Sequence, residues 1–354
     1  MNPPTDALLT WYDVHRRDLP WREDQHPYRV WLSEIMLQQT RVDTVIPYFE
    51  RFLESFPTVE DLAAAEIDDV LARWSGLGYY RRARQLHAAA QQIAEAGAFP
   101  TTLEGWLELP GIGPYTAAAV SSIAFGVVAP VLDGNVERVM ARWMAYRDNP
   151  KTAAGQRTLR AAAAELVHRD RPGDSNQALM EVGAMVCTPR NPKCLLCPCR
   201  EDCQARLLGL QEEIPPPRKR RQVERVRLGV AVVEQDDRVL LFRRPDDRTL
   251  LAGTWELPWF EISALSPSSP LDRTAAAEAL AKRYGGSWSL AARRATIQHG
   301  ITHRSLTVEV LPGSMEDAGE VAKSTVEAGW FDAVGRDSVA SSSLVVKALA
   351  AYCS

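Results

Sequence analysis

Four cysteines, Cys187, Cys194, Cys197 and Cys203, follow the order Cys-x6-Cys-x2-Cys-x5-Cys within seventeen residues of a chain that has only six cysteines. So short a segment brings four sulfurs to one place whatever the rest of the chain does. Soft thiolates suit a soft metal centre, and four of them met in sequence order fit a 4Fe-4S cube. Two other readings compete. A structural zinc site usually uses two Cys-x2-Cys pairs or a Cys/His mixture, and the six- and five-residue gaps here match neither layout. Disulfides need an oxidising compartment, and the stretch from Met1 to Arg17 carries Pro, Asp and Arg rather than an apolar signal segment, so none is expected. Cys199 and Cys353 lie off the pattern and read as spectators.

With 354 residues, the chain has room for two or three domains around ordinary cores. No stretch approaches the roughly eighteen uninterrupted apolar residues of a spanning helix, so a soluble, cytoplasmic protein is expected, taken as a monomer. The net charge of -4 gives no support to nucleic-acid binding at the level of the whole chain. Basic residues nevertheless cluster at Arg81, Arg82 and Arg84, at Arg218 to Arg221, and at Arg243 and Arg244, where solvated faces are the ordinary explanation.

Organisation changes after the cysteines. Residues 5–186 read as successive helices, many Ala-rich, separated by short Gly/Pro turns. The run Ile214-Pro215-Pro216-Pro217-Arg218-Lys219-Arg220-Arg221 is an extended, charged connector. Beyond it, residues 226–233 and 238–242 are β-rich and flank a hairpin turn at 235–237, with helices expected over 274–284 and 342–351 and a strand over 305–311. The expected boundaries are a helical domain over 1–210 that includes a metal loop at 187–203, a linker over 211–224, and an α+β domain over 225–354.

Three segments of the helical part carry chemistry. Leu109-Pro110-Gly111-Ile112-Gly113-Pro114-Tyr115-Thr116 reads as a hairpin between two helices, the first ending near Leu109 and the second starting at Pro114. Gly111 and Gly113 let the backbone approach a phosphate, and free amides at the next helix start would face the anion. About twenty residues on, Asp133 stands before a helix whose apolar stripe is Val136, Val139, Met140 and Trp143. An N-cap is the default role for Asp133 or Asn135 there. In the third segment, Glu34 interrupts an apolar helix with an inward stripe of Trp31, Ile35, Val42, Val45 and Ile46. A half-buried Glu34 has a raised pKa and suits a general acid near neutrality, whereas Asp133 at a helix N-terminus is expected to stay ionised. Two carboxylates separated in this way are the usual equipment for breaking a glycosidic bond.

Taken together, these residues resemble the MutY family of adenine DNA glycosylases, within the helix-hairpin-helix superfamily that also contains endonuclease III. The likeness extends over Leu19-Pro20-Trp21-Arg22, the 31–40 segment, Gly76-Leu77-Gly78-Tyr79-Tyr80, the hairpin, residues 132–136 and 178–184, and the cysteine loop. It implies a multidomain fold: an all-α helix-hairpin-helix glycosylase core with an iron-sulfur cluster loop, and a C-terminal α+β Nudix-like domain. Cys187, Cys194, Cys197 and Cys203 would hold a 4Fe-4S cluster. Glu34 matches the acid that protonates adenine at N7, and Asp133 the carboxylate that stabilises or captures the sugar cation. Tyr115 and Asn135 match supports of this pair, Tyr115 standing where lyase-competent relatives carry a lysine. Without an amine there, base removal with little strand cleavage is expected. Trp21, Arg22 and Glu181 match the adenine pocket. Gln39 and Tyr79 match side chains that fill the gap left by the flipped base, with Leu37 beside them as a wedge. Tyr80 reads as core.

The C-terminal region resembles the MutT-like module that recognises 8-oxoguanine, on the basis of residues 253–258 and 298–303. Thr302 and His303 match a lesion-sensing loop in which a Phe-Ser-His triplet is frequent, and Ile301 departs from its Phe. The region lacks the Gly-x5-Glu-x7-Arg-Glu-x2-Glu-Glu box that holds magnesium in true Nudix hydrolases, so recognition without pyrophosphatase activity is expected. The implied partner is double-stranded DNA containing adenine opposite 8-oxoguanine or guanine. An endonuclease III-like bifunctional glycosylase/lyase acting on oxidised pyrimidines is the nearest alternative, disfavoured by Glu34 and Tyr115.

Overall fold

The structure, a computed structural model, describes residues 4–217, 222–245, 251–262, 271–301, 303–316 and 326–354. Thr302 and the basic run at 218–221 lie outside the described residues. By internal contacts the chain divides into two compact units, residues 1–64 with 85–219 and residues 65–84 with 220–354. The segment 65–84, which precedes the linker in sequence, therefore groups with the C-terminal region.

The helices of the first unit are α1 (Thr5–His15), α2 (Pro27–Leu37), α3 (Val42–Ser55) and α4 (Val59–Ala64), then the later part of α6, whose whole span is Arg81–Ala96. They continue with α7 (Leu103–Leu107), α8 (Pro114–Phe125), α9 (Gly134–Trp143), α10 (Ala153–Glu165), α11 (Pro172–Glu181) and α12 (Gln204–Leu207). The intervening α5 (Ile67–Trp74) belongs to the second unit. Helix α8 is the hub. Its 116–123 face is buried throughout and packs against α2, α7 and α11. So apolar a helix, Ala-rich on every side, belongs in the middle of a bundle. Trp31 and Trp106, both fully buried, meet with ring centroids 5.9 Å apart.

Two boundaries differ from the sequence reading. The stripe through Trp31, Ile35, Val42, Val45 and Ile46 is divided between two helices, because α2 stops at Leu37 and Gln39 takes a left-handed φ of +59° before α3 begins. Hydrophobic periodicity continued across a break that only the backbone reveals. The helix before the hairpin ends at Leu107, two residues earlier than expected. In the hairpin, the two glycines have different reasons. Gly111 has φ +76°, and a Cβ there would stand 2.6 Å from the Gln85 side chain, so this position requires glycine. Gly113 has φ -99° and open space around it, and serves as the N-cap of α8 with Pro114 at the first position.

In the second unit, strands β1 (Glu224–Gln235), β2 (Arg238–Arg243), β3 (Trp255–Glu256), β4 (Trp259–Glu261), β5 (Ser287–Leu290), β6 (Ala295–Ile301), β7 (Arg304–Glu316) and β8 (Ala328–Phe331) form one mixed sheet. β1 pairs in parallel with β7 and antiparallel with β2 and β4. The turn from β1 to β2 is Asp236–Asp237, both at positive φ, as a two-residue hairpin demands. Alternation assigns the two faces. Ala231, Val233, Leu240 and Phe242 join helix α13 (Arg273–Tyr284) in one core, while Val230, Val232, Val239 and Leu241 join α15 (Ser343–Cys353) in the other. The short α14 (Ala333–Asp337) lies between β8 and α15 in sequence. Within the same unit, Tyr80 Oη donates to Ser341 O at 2.6 Å and Ser75 Oγ donates to it at 2.9 Å.

Candidate active site and cysteine centre

Five pieces of the first unit converge on one cavity of about 590 Å³, within the range of small-molecule sites. They are the short turn Pro20–Arg22, the C-terminal half of α2, the start of α8, the start of α9 and the end of α11. The structure thus gathers Trp21, Arg22, Glu34, Leu37, Gln39, Tyr115, Asp133, Asn135 and Glu181 around a single space. Gly111 and Gly113 stand apart in the hairpin, and Tyr79 and His303 belong to the second unit.

Glu34 is more deeply buried than the sequence suggested, with 6% of its surface exposed. Burial pushes its carboxyl from its ordinary 4.5 to about 7, a hydrogen bond donated by Tyr115 Oη to Oε2 at 2.6 Å pulls it down, and the nearby Asp133 charge pushes it up. Arg22 opposes Asp133. The tyrosine, which also lies 3.2 Å from Met180 Sδ, has its own pKa raised by burial and by both carboxylates.

Asp133 is the N-cap of α9, its Oδ1 accepting from Asn135 N at 3.0 Å and Val136 N at 2.7 Å. The helix start does not by itself keep this carboxyl low. Burial raises its pKa above the ordinary value, against the two backbone hydrogen bonds, the Arg138 charge and the Asn135 side chain. Asn135 is fixed in turn: Arg138 Nη2 donates to its Oδ1 at 3.0 Å and to Gly183 O at 2.7 Å, while Arg138 Nε donates to Cys187 O at 2.8 Å. A Cβ on Gly183 would stand 2.7 Å from Asn135 Cβ, so glycine lets α9 and the single π-turn after α11 approach.

Glu181, 1% exposed, sits between two guanidinium groups. Arg17 holds it through Nε and Nη2, and Arg22 Nη1 approaches Oε1 at 2.7 Å while its Nε donates to Gln177 Oε1. Trp21 closes this end edge-on against Phe49, ring centroids 5.4 Å apart. Sequence reasoning missed Arg17, Gln177, Met180 and Lys151, all of which line the cavity. A spacing signal exists only for Gln177, one helical turn before Glu181. Nothing local marks the other three. The position of Tyr115 carries no amine, as expected, but Lys151 brings one to the cavity from elsewhere in the chain. Its Nζ is 2.5 Å from Glu137 Oε2, so its nearest partner is a carboxylate of α9.

The cysteine centre is built differently. Cys187, Cys194, Cys197 and Cys203 line one small void, and all six cysteines are free thiols, so no disulfide forms among them. Arg142, 2% exposed, stitches the loop together: it donates to Cys187 Sγ at 3.3 Å, Thr188 O at 2.7 Å, Pro189 O at 3.2 Å and Ile214 O at 2.8 Å. Gln211 Oε1 is buried on the wall of the same void without a partner. Among the described residues no three His, Cys, Asp or Glu side chains stand together as a ligand set for one metal ion. Four cysteines lining one void, with a cation already donating to one of them, nevertheless have the chemistry that fits an anionic cluster of iron and sulfide. Cys199 is buried inside the loop and Cys353 is exposed.

The helical hub, the hairpin and the paired buried carboxylates define a base-excision glycosylase, and comparison with known families agrees. Residues 32–165 match the family described as HhH-GPD superfamily base excision DNA repair protein, and residues 229–351 match the NUDIX domain. A solved structure of a thermostable thymine-DNA glycosylase superposes with a TM-score of 0.53 at 30% identity, covering 58% of this chain and 95% of that one. The chain belongs to the adenine DNA glycosylases. It is 36% identical to the human adenine DNA glycosylase over 91% of its own length and 68% of the human protein, and 36% identical to that of Rattus norvegicus over 92% and 73%. Among the described residues no helix is long and apolar enough to cross a membrane.

Proposed function

We propose that this protein hydrolyses the N-glycosidic bond of adenine paired with 8-oxoguanine or guanine in double-stranded DNA, leaving an abasic site. The observation that carries the reading is Glu34: a buried carboxyl with a pKa near 7, hydrogen-bonded by Tyr115 and placed in one cavity with Asp133. The bond is inaccessible while the base is stacked, so the nucleotide must first leave the helix. Trp21, Arg22 and Glu181 then take the base, Leu37, Gln39 and Tyr79 support the opened duplex, and Gly111 and Gly113 offer backbone to its phosphates. Glu34 gives its proton to adenine N7, which makes the base a leaving group. As the bond to C1′ breaks, positive charge grows on the sugar, and Asp133, steadied by Asn135, stabilises it until water adds.

The four cysteines are the ligands proposed for a 4Fe-4S cluster. Glycosidic hydrolysis transfers no electron, so the cluster's contribution when bound is to order the loop that holds Arg138 and Arg142 in place. Recognition of 8-oxoguanine is assigned to the tip between β6 and β7. His303 is partly exposed there, 3.7 Å from Glu224.

Single-turnover adenine release from a duplex with adenine opposite 8-oxoguanine tests this reading. Glu34→Gln and Asp133→Asn should each lose most of the rate, general acid catalysis alone supplying about 10²–10⁴-fold. No release by the wild-type protein, or full rate in Glu34→Gln, refutes it. His303→Ala should erode the preference for 8-oxoguanine over guanine, and unchanged discrimination removes the tip from recognition.

A further inference from the structure

Of the three cations that line the active-site cavity among the described residues, two are committed at one end. Arg17 and Arg22 both bind the buried Glu181, beside the wall formed by Trp21. The third, Lys151, is paired with the helix that Asp133 caps. Its partner Glu137 lies four residues along α9 from Asp133, a rise of about 6 Å.

The turn that carries Lys151 is densely hydrogen-bonded. Asn149 Oδ1 accepts from Lys151 N at 2.9 Å, Gln156 Nε2 donates both to Glu137 Oε2 at 2.7 Å and to Pro150 O at 2.8 Å, and Thr152 caps α10. A Cβ at Gly155 would stand 2.8 Å from Asn149 O, so α10 grips the turn closely. Glu137 is 6% exposed whereas the Lys151 side chain is 41% exposed, so the ammonium keeps donors free on its outer side.

We propose that Lys151 contacts a backbone phosphate flanking the flipped nucleotide, at the sugar end of the cavity. The inference rests on the glycosylase reading above and adds a residue to its substrate contacts. With C1′ held against Asp133, continuity of the strand brings a phosphodiester to the same rim. There the pre-positioned ammonium meets it at little ordering cost. The bland alternative is that Lys151 only neutralises the buried Glu137.

Binding of the full-length protein to a duplex carrying an uncleavable adenine analogue opposite 8-oxoguanine, measured across a range of salt, separates the two. Lys151→Met should weaken binding and reduce the slope of log K against log salt by up to about 0.9, the release from one phosphate. Glu137→Gln/Lys151→Met removes the stranded carboxylate. If neutralisation were the whole role, this double variant would recover wild-type affinity and slope; a phosphate contact leaves both reduced. Single methylphosphonate replacements locate the contact. One neutralised phosphate beside the target should cost the wild type affinity and cost Lys151→Met almost nothing further. Equal losses in both proteins at every phosphate overturn the proposal. Adenine release by the wild type is scored separately, and its failure would sink the parent reading while leaving the salt slopes to decide the DNA contact.

Discussion

The active-site cavity and the cysteine centre are two regions of the first unit built on opposite plans. The cavity, about 590 Å³, draws on separate stretches scattered between Arg17 and Ala184, and its key groups are carboxylates held away from water. Four cysteines from one short segment surround a void of about 20 Å³, clasped from outside by Arg142. Chemistry at the first depends on keeping charge in an unfavourable place; the second depends on satisfying it. Variants in the cavity should therefore lose rate while keeping or gaining stability, and variants around the cysteines should lose stability first.

The largest expected effect on the cavity side is a reversal of sign between activity and stability in Glu34→Gln. Its rate falls steeply, as above, while its stability becomes less dependent on pH. In the wild type the folded state holds the Glu34 proton up to about pH 7, against an ordinary 4.5 for the unfolded chain. The stabilising contribution is complete below about pH 4.5, declines as pH rises and is lost above about pH 7, a swing of roughly 3 kcal/mol. Denaturant unfolding from pH 5 to 8 should show this decline in the wild type and much less of it in Glu34→Gln. The acid must be protonated to act, so wild-type turnover should also fall above about pH 7; a rate that instead climbs through that range removes Glu34 as the acid.

On the other side, Arg142→Met strands the carbonyls of Ile214, Thr188 and Pro189 and should cost on the order of 3 kcal/mol, with loss of iron on purification. Thermal unfolding and iron content are the measurements. Arg142→Met with wild-type melting and full iron would break the contrast. Arg138 belongs to both regions, joining Asn135 to Cys187 O, and Arg138→Met should lower the rate about tenfold through Asn135 and Asp133 while moving stability only modestly. A purely thermal effect with an unchanged rate would separate the two regions completely. The smallest effect belongs to the second unit. Tyr80→Phe removes one hydrogen bond to Ser341 O and should cost about 1 kcal/mol, read by denaturant titration.

Legibility in the sequence followed the same division. Helices over the first half, β-rich runs after the linker and the Asp236–Asp237 hairpin were readable because their signals are local composition, periodicity and turn residues. That Cys187, Cys194, Cys197 and Cys203 line one void was readable for the same reason. Glu34 and Asp133 were noticeable as carboxylates near apolar stripes and could be paired by the chemistry they suit, but no local signal placed them in one cavity. Arg17 and Lys151 gave no signal, since an arginine or lysine before a turn is ordinary until the residue it faces is known. The break at Gln39 and the grouping of residues 65–84 with the C-terminal region were equally hidden.

What the sequence determined by itself is everything that one segment can enforce: four cysteines lining one void, a glycine turn ahead of a proline-started helix, Asp133 at a helix start, a two-residue hairpin. Tertiary structure alone decided the chemistry of those groups. A carboxyl's pKa depends on who surrounds it, and the neighbours of Glu34 come from residues 81 and 99 positions further along the chain, Tyr115 and Asp133. Burial raised both acids, at Asp133 against the backbone amides of its helix N-terminus. Charge and hydrogen-bond geometry fall off within a few ångströms, so they are set by proximity in space, which spacing along a chain records only when the residues are neighbours already.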